Sequence, residues 1–220
     1  MIRSPNFGPR RDGLRPELVV LHYTAMESCE AAARALCDPA REVSAHYLIS
    51  EAGEVMALVE EDMRAWHAGA GAWAGRRDVN SRSIGIELSN TGFVPFAARQ
   101  MAALEALLPG ILSRWMIPPE GVIAHSDMAP GRKIDPGPRF DWQRLARHGM
   151  SIWPDPVPNL PPDWARFRAD AERFGYPKKA DDLLLSTVRL RFRPRHAGPL
   201  DAHDMGIMAD LAERFPAGRA

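Results

Sequence analysis

The 220-residue chain has no excess of either charge: Lys+Arg and Asp+Glu number 28 each. A balanced surface offers no general attraction to nucleic acid or to an anionic bilayer, so neither is expected as a partner. No apolar run approaches the roughly 18–20 residues that span a membrane. The first residues, MIRSPNFGPRRDG, lack the apolar centre of a secretory signal and offer no cysteine to a lipid. On that basis the chain is expected to be cytoplasmic, or periplasmic if a leader has been removed. Cysteine is scarce, with only Cys29 and Cys37. Eight residues of helix would part them by about 12 Å, too far to bridge, so they lend no support to a disulfide scaffold. No internal repeat and no low-complexity tract is present.

What remains is an ordinary globular balance, 45% hydrophobic and 25% charged, long enough for one sizeable core and a small second domain. Residues 17–23 (ELVVLHY) form a short β-branched run and predict a buried strand. Ser28 predicts the cap of a helix that runs to Cys37 and stops at Asp38-Pro39. Residues 44–49 and 55–59 predict a hairpin around Glu-Ala-Gly-Glu. A Gly- and Trp-rich loop, 66–80, leads to a strand over 83–88 (SIGIEL). Residues 97–115 are apolar at helical spacing, with Pro109-Gly110 predicting a kink or a break into two helices. A strand at 122–124 and a short helix over 140–148 follow. Strands and helices intermingle over the first 150 residues, which predicts a sheet covered by helices. Residues 152–162 (IWPDPVPNLPP) hold five prolines and predict a linker. Three helical segments follow, 163–174, 180–192 and 201–215. The expected division is therefore 1–151, a linker over 152–162, and a three-helix domain over 163–220.

Several residues can carry chemistry. His22 and His125 each end an apolar strand, and Asp135 lies in the loop AHSDMAPGRKIDPGP, where proline and glycine fix the positions of Lys133 and Asp135. Two imidazoles and a carboxylate are the right mix for a catalytic zinc that keeps one position open, though the spacing matches no short metal motif. A strand-end histidine also serves as a hydrogen-bonded core residue. Glu87 shares a sheet face with Gly85 and Ser83. It reads either as a solvated carboxylate or as a general base, with Gly85 leaving room for a ligand beside it. His46, mid-strand, reads as a buried structural histidine. Trp66 and His67 either shape the wall of a site or anchor the loop. Arg76 and Arg77 either grip a ligand carboxylate or stay solvated. His148, His196 and His203 belong to no constellation and are expected to be exposed.

VVLHYTA with His22, SIGIELSN with Glu87, and AHSDMAPGRKIDPGPRFDW together resemble the zinc N-acetylmuramoyl-L-alanine amidases over residues 17–148. WHAG at 66–69, the Trp73-Ala74-Gly75 run and Asn80 resemble the two-domain bacterial branch, which appends a helical domain of peptidoglycan-binding type. The segment around Phe174-Gly175-Tyr176 is similar to that domain. The resemblance implies an α/β fold, a mixed central sheet flanked by helices, with one Zn²⁺ in a surface groove. It implies His22, His125 and Asp135 as metal ligands, Glu87 as base, Lys133 as support for the oxyanion, and Asn90 as a contact to the stem peptide. The expected reaction is hydrolysis of the amide between the muramyl lactyl group and L-alanine, on peptidoglycan polymer or soluble anhydro-muropeptide. A muropeptide-recognition protein that does not cleave, and a hydrolase for another amide, are the alternatives. SEAGE at 50–54 stands where some recycling relatives carry a basic pair, so that turn assigns no diamino acid to the peptide.

Overall fold

The computed structural model describes residues 3–155 and 160–218. Part of the expected linker, 156–159, lies outside the described residues.

The chain opens with β1 (Phe7–Pro9) and then β2 (Leu18–Tyr23), the expected β-branched run. Helix α1 (Cys29–Cys37) follows, with Ser28 Oγ accepting from the Ala31 amide at 3.2 Å. Strands β3 (Tyr47–Ile49), β4 (Val55–Ala57) and β5 (Met63–Ala65) come next. The single turn α2 (Val79–Arg82) runs directly into β6 (Ser83–Leu88). Helix α3 (Ala98–Trp115) is one continuous helix across Pro109, not two separate helices. Pro109 lies on its exposed side, where water can serve the carbonyl left without a donor. After β7 (Val122–Ala124) come α4 (His125–Met128) and α5 (Trp142–Arg147). Helices α6 (Trp164–Phe174), α7 (Asp181–Phe192) and α8 (Ala202–Arg214) complete the chain, close to the three expected helical segments.

Five strands form a mixed sheet in the order β4-β3-β6-β2-β7, while β1 and β5 pair separately. The neighbours β3, β6, β2 and β7 are parallel, and only β4 is antiparallel, against β3. Parallel strands are normally buried on both faces, and these are. One face, with Val19, Leu21, Ile84, Ile86 and Val122, packs on Leu104, Leu108 and Ile111 of α3. On the other, α1 covers Leu48 of β3. At the far end of that second face, Leu18, Val20 and Ile123 pack on Phe167, Val188 and Met208 from α6, α7 and α8. The C-terminal helices thus share a core with the sheet. Between α1 and these helices the second face stays uncovered at the carboxyl ends of β6, β2 and β7. In open α/β sheets that is where ligands bind.

Candidate metal centre and active site

Strand register assembles the centre. His22 of β2 lies opposite Glu87 of β6, so both side chains leave the same face. Leu21 lies opposite Ala124 of β7, which puts His125, the next residue, beside His22. Three parallel strand ends thus present Glu87, His22 and His125 side by side. Asp135 arrives through the Pro/Gly-rich loop, which folds back on α4: Lys133 N donates to Ala129 O at 3.1 Å, and Ser126 N to Asp135 O at 3.0 Å. The loop is poor in regular structure because it hangs a carboxylate at a point no strand reaches. His22, His125 and Asp135 are all buried, and one ligand atom from each lies within 4.8 Å of the others.

Tautomers follow from hydrogen-bond partners. Ser83 Oγ donates to Val79 O at 2.5 Å, so it accepts from His67 Nε2 at 3.2 Å. His67 Nδ1 is then an acceptor, for His22 Nε2–H at 3.0 Å. His125 Nε2 donates to Ala68 O at 2.9 Å, since a carbonyl only accepts. Both Nδ1 atoms therefore present lone pairs. They lie 2.8 Å apart, each 2.9 Å from Asp135 Oδ2. Lone pairs and a carboxylate aimed at one point repel unless a cation lies among them. The donor set fits a divalent metal, and each imidazole has the second hydrogen bond that such ligands need.

The electrostatics agree. Burial, then the neighbouring His125, lowers the His22 pKa to about 4, which keeps the ring neutral. Burial, then the Asp135 charge, pushes Glu87 up to about 8, with Lys133 acting against the rise. Among the described residues, Glu87 Oε2 is buried with no hydrogen-bond partner. A lone carboxylate oxygen in that position is costly unless something arrives to use it.

A groove of about 380 Å³ runs over the centre, within the range of small-molecule sites. Glu87, Lys133, Trp66 and His67 line it together with the three clustered residues. Tyr23, Met26 and Arg41 also line it and carried no signal in the sequence beyond their nearness to other motifs.

Other expectations need correcting. Gly85 does not make room for a ligand: a Cβ there would lie 2.3 Å from the His67 ring, so His67 fills the space. His67 lines the groove, but both its nitrogens are taken by His22 and Ser83. Asn90 does not line the groove. Its amide accepts from Gly92 N at 2.7 Å and donates to Val94 O at 3.3 Å, which spends it on its own turn. Arg76 is placed elsewhere too, bonded to both carboxylate oxygens of Glu17, ahead of the amino end of β2. Arg77 is exposed and away from this groove. His46 is structural as expected: Nδ1 accepts from Gly85 N at 2.9 Å, and burial lowers its pKa to about 3. His148, His196 and His203 are exposed. Sequence reading missed Ser83 as the anchor of His67, although it shares the Glu87 face.

Comparison with known proteins gives the family and the fold. Residues 12–138 match the family described as N-acetylmuramoyl-L-alanine amidase. The chain is 36% identical to the N-acetylmuramoyl-L-alanine amidase AmiD of Escherichia coli, over 91% of this chain and 84% of that protein. A solved structure of AmiD, in complex with anhydro-N-acetylmuramic acid-L-Ala-D-gamma-Glu-L-Lys, superimposes with a TM-score of 0.85 at 35% identity, covering 94% and 93% of the two chains. AmpDh3 of Pseudomonas aeruginosa gives 0.84 at 35% identity, covering 94% and 95%. The 1,6-anhydro-N-acetylmuramyl-L-alanine amidase AmpD of Enterobacter cloacae is 35% identical over 68% of this chain and 88% of its own. With family and fold both matched across the strands and loop that build the centre, the chain belongs to the N-acetylmuramoyl-L-alanine amidase family.

Proposed function

We propose that this protein hydrolyses the amide between the lactyl group of N-acetylmuramic acid, or its 1,6-anhydro form, and the L-alanine of the stem peptide. The observation that carries the reading is the Glu87 oxygen, without a partner among the described residues, beside two inward lone pairs and a carboxylate at the carboxyl ends of adjacent strands. His22 Nδ1, His125 Nδ1 and Asp135 Oδ2 would hold one Zn²⁺. Zinc held there supplies Lewis acidity and eases the ionisation of water at neutral pH.

The chain's own residues do the rest. Glu87 accepts a proton from the water that attacks the amide carbon, then passes it to the departing alanine nitrogen. Glu87 is placed for both transfers because it faces the groove beside the three clustered residues. The Lys133 ammonium, exposed on the groove wall, supports the negative charge that grows on the carbonyl oxygen. Trp66 offers an aromatic face to a sugar ring. Anhydro-muropeptide is a substrate form the groove would take, as two relatives with solved structures hold anhydromuramyl peptides.

Digestion of defined muropeptides by zinc-loaded protein, read by mass spectrometry, tests this. Cleavage at lactyl–alanine is expected, lost on chelation, and reduced about 10²–10⁴-fold in Glu87→Ala protein that retains full zinc. A cut at another bond, no cut at all, or an undiminished Glu87→Ala rate would overturn the reading.

A further inference from the structure

Helix α4 is four residues long, yet two of the three clustered residues hang from it. His125 is its first residue, and Asp135 is tied to it through Ser126 N. So short a helix cannot fix its own position. Its remaining polar anchor is Asp127, which is fully buried. Asp127 Oδ2 accepts from Ala124 N at 2.9 Å, the strand residue just before His125. The other donors to Asp127 come from the C-terminal part of the chain: Arg191 Nη1 to Oδ2 at 2.6 Å, and the Tyr176 hydroxyl to Oδ1 at 3.0 Å.

Arg191 does more than neutralise Asp127. Its Nη2 donates to Val122 O at 3.1 Å, the first residue of β7, and to Ser151 Oγ at 3.2 Å. The guanidinium lies 4.1 Å from the centre of the Trp142 ring, a stacking that lysine would not reproduce. One planar group from α7 therefore grips the chain three residues before His125 and two residues after it. Arg191 is itself 1% exposed, in the core shared by helices and sheet. A purely apolar contact could glue α7 to the sheet. A buried ion pair reaching through that contact to α4 fixes position as well.

From this we propose that Arg191, with Tyr176, is a positioning residue for the metal centre. The C-terminal helices key α4 into place and thereby set the approach of His125 and Asp135 to His22. This rests on the metal-amidase reading above and assigns the helical segment a part in building the site. Without the key, Asp127 would be a buried carboxylate with a single backbone donor, and α4 would shift toward water to relieve it.

The test compares two buried arginines of α7. Arg189 is also buried and pairs with Asp204 of α8, and its other hydrogen bonds go to Gly198 O and Pro199 O rather than to β7 or α4. Full-length wild type, Arg191→Met, Arg191→Lys, Tyr176→Phe and Arg189→Met are loaded with zinc against a chelator, and with cobalt for its visible spectrum. Arg191→Met is expected to weaken zinc binding about tenfold or more, the scale of lost outer-shell support, and to shift the cobalt spectrum. Arg191→Lys should fall between it and wild type. Arg189→Met should lower the melting temperature yet leave both metal readouts at wild-type values.

If folded Arg191→Met keeps wild-type zinc affinity and spectrum, or Arg189→Met loses as much, the proposal is overturned. Should Arg191→Met fail to fold, Arg191→Lys and Tyr176→Phe decide: unchanged metal readouts in both overturn it, and weakened zinc binding in either supports it. Wild type that binds zinc but cleaves no muropeptide overturns the amidase reading and leaves this one to the metal readouts. Wild type that binds no zinc overturns both.

Discussion

Glu87 shows how much one carboxyl can be altered by its setting. In free chain its pKa is near 4.5, and in the fold it rises to about 8, chiefly through burial. Between those values the folded protein holds a proton that the unfolded chain has released. Metal-free protein should therefore lose stability from this group as pH rises from about 4.5 to about 8. His22 works in the opposite sense, its lowered pKa costing stability as pH falls below 6.5 toward about 4. Comparing wild type with Glu87→Gln separates the two, since His22 is common to both. Urea unfolding of metal-free protein should show Glu87→Gln gaining on wild type steadily from pH 5 to pH 8. A constant difference across that range would mean that Glu87 is solvated and cannot be the poised base. Bound cation favours the ionised carboxylate, so zinc-loaded samples should show a smaller gain.

Strand β6 carries the same logic at the scale of an element. Alternation in SIGIEL puts Ser83, Gly85 and Glu87 on one face, and each has a separate task there. Ser83 orients His67, Gly85 makes room for its ring, and Glu87 faces the groove. Gly85→Ala should cost about 1–3 kcal/mol in chemical unfolding, because the new methyl meets the His67 ring at 2.3 Å. His67→Ala in the same chain should return part of that loss, giving a coupling between the two sites. Additive losses would show that the ring and the strand do not compete for the space. The sequence made much of this element legible. Period-two alternation placed Glu87 on the right face, and the strand-end positions of His22 and His125 with the rigid loop of Asp135 pointed to one centre. The occupant of the Gly85 space was not legible, because His67 comes from a loop whose path depends on Asn80 Oδ1 accepting from the His67 and Ala68 amides. The continuity of α3 was also hidden, since it turns on which side of the helix Pro109 faces. Arg76 and Asn90 looked like ligand contacts because their partners, Glu17 and the turn at 90–95, are visible only in three dimensions.

At the scale of the molecule, the question is whether the C-terminal helices form an independent module. Proline density over 152–162 suggested a linker between a domain ending at 151 and a helical domain starting at 163. Physically the two parts share one core. Trp73, in the loop after β5, meets Phe174 and Tyr176 edge-on at 5.5 and 5.2 Å, and a Cβ on Gly175 would lie 2.8 Å from its ring. Leu18, Val20 and Ile123 of the sheet are covered by α6, α7 and α8. AmpD of Enterobacter cloacae matches only 68% of this chain, so amidases of this family can be shorter. In this chain, however, removing the helices would bare an apolar sheet face and strand the Asp127 carboxylate. A chain ending at residue 155 should therefore self-associate or unfold without a cooperative transition, as read by size-exclusion chromatography and calorimetry. A soluble monomer melting within about 5 °C of the full chain, a shift worth only about 1–2 kcal/mol, would show that the shared core contributes little. The same fragment bears on glycan binding. If it folds and still cleaves soluble muropeptide but loses insoluble peptidoglycan, the helices act as a wall-binding module. If it loses both together with its fold, their first task is to hold the sheet and α4 in the shape the metal requires.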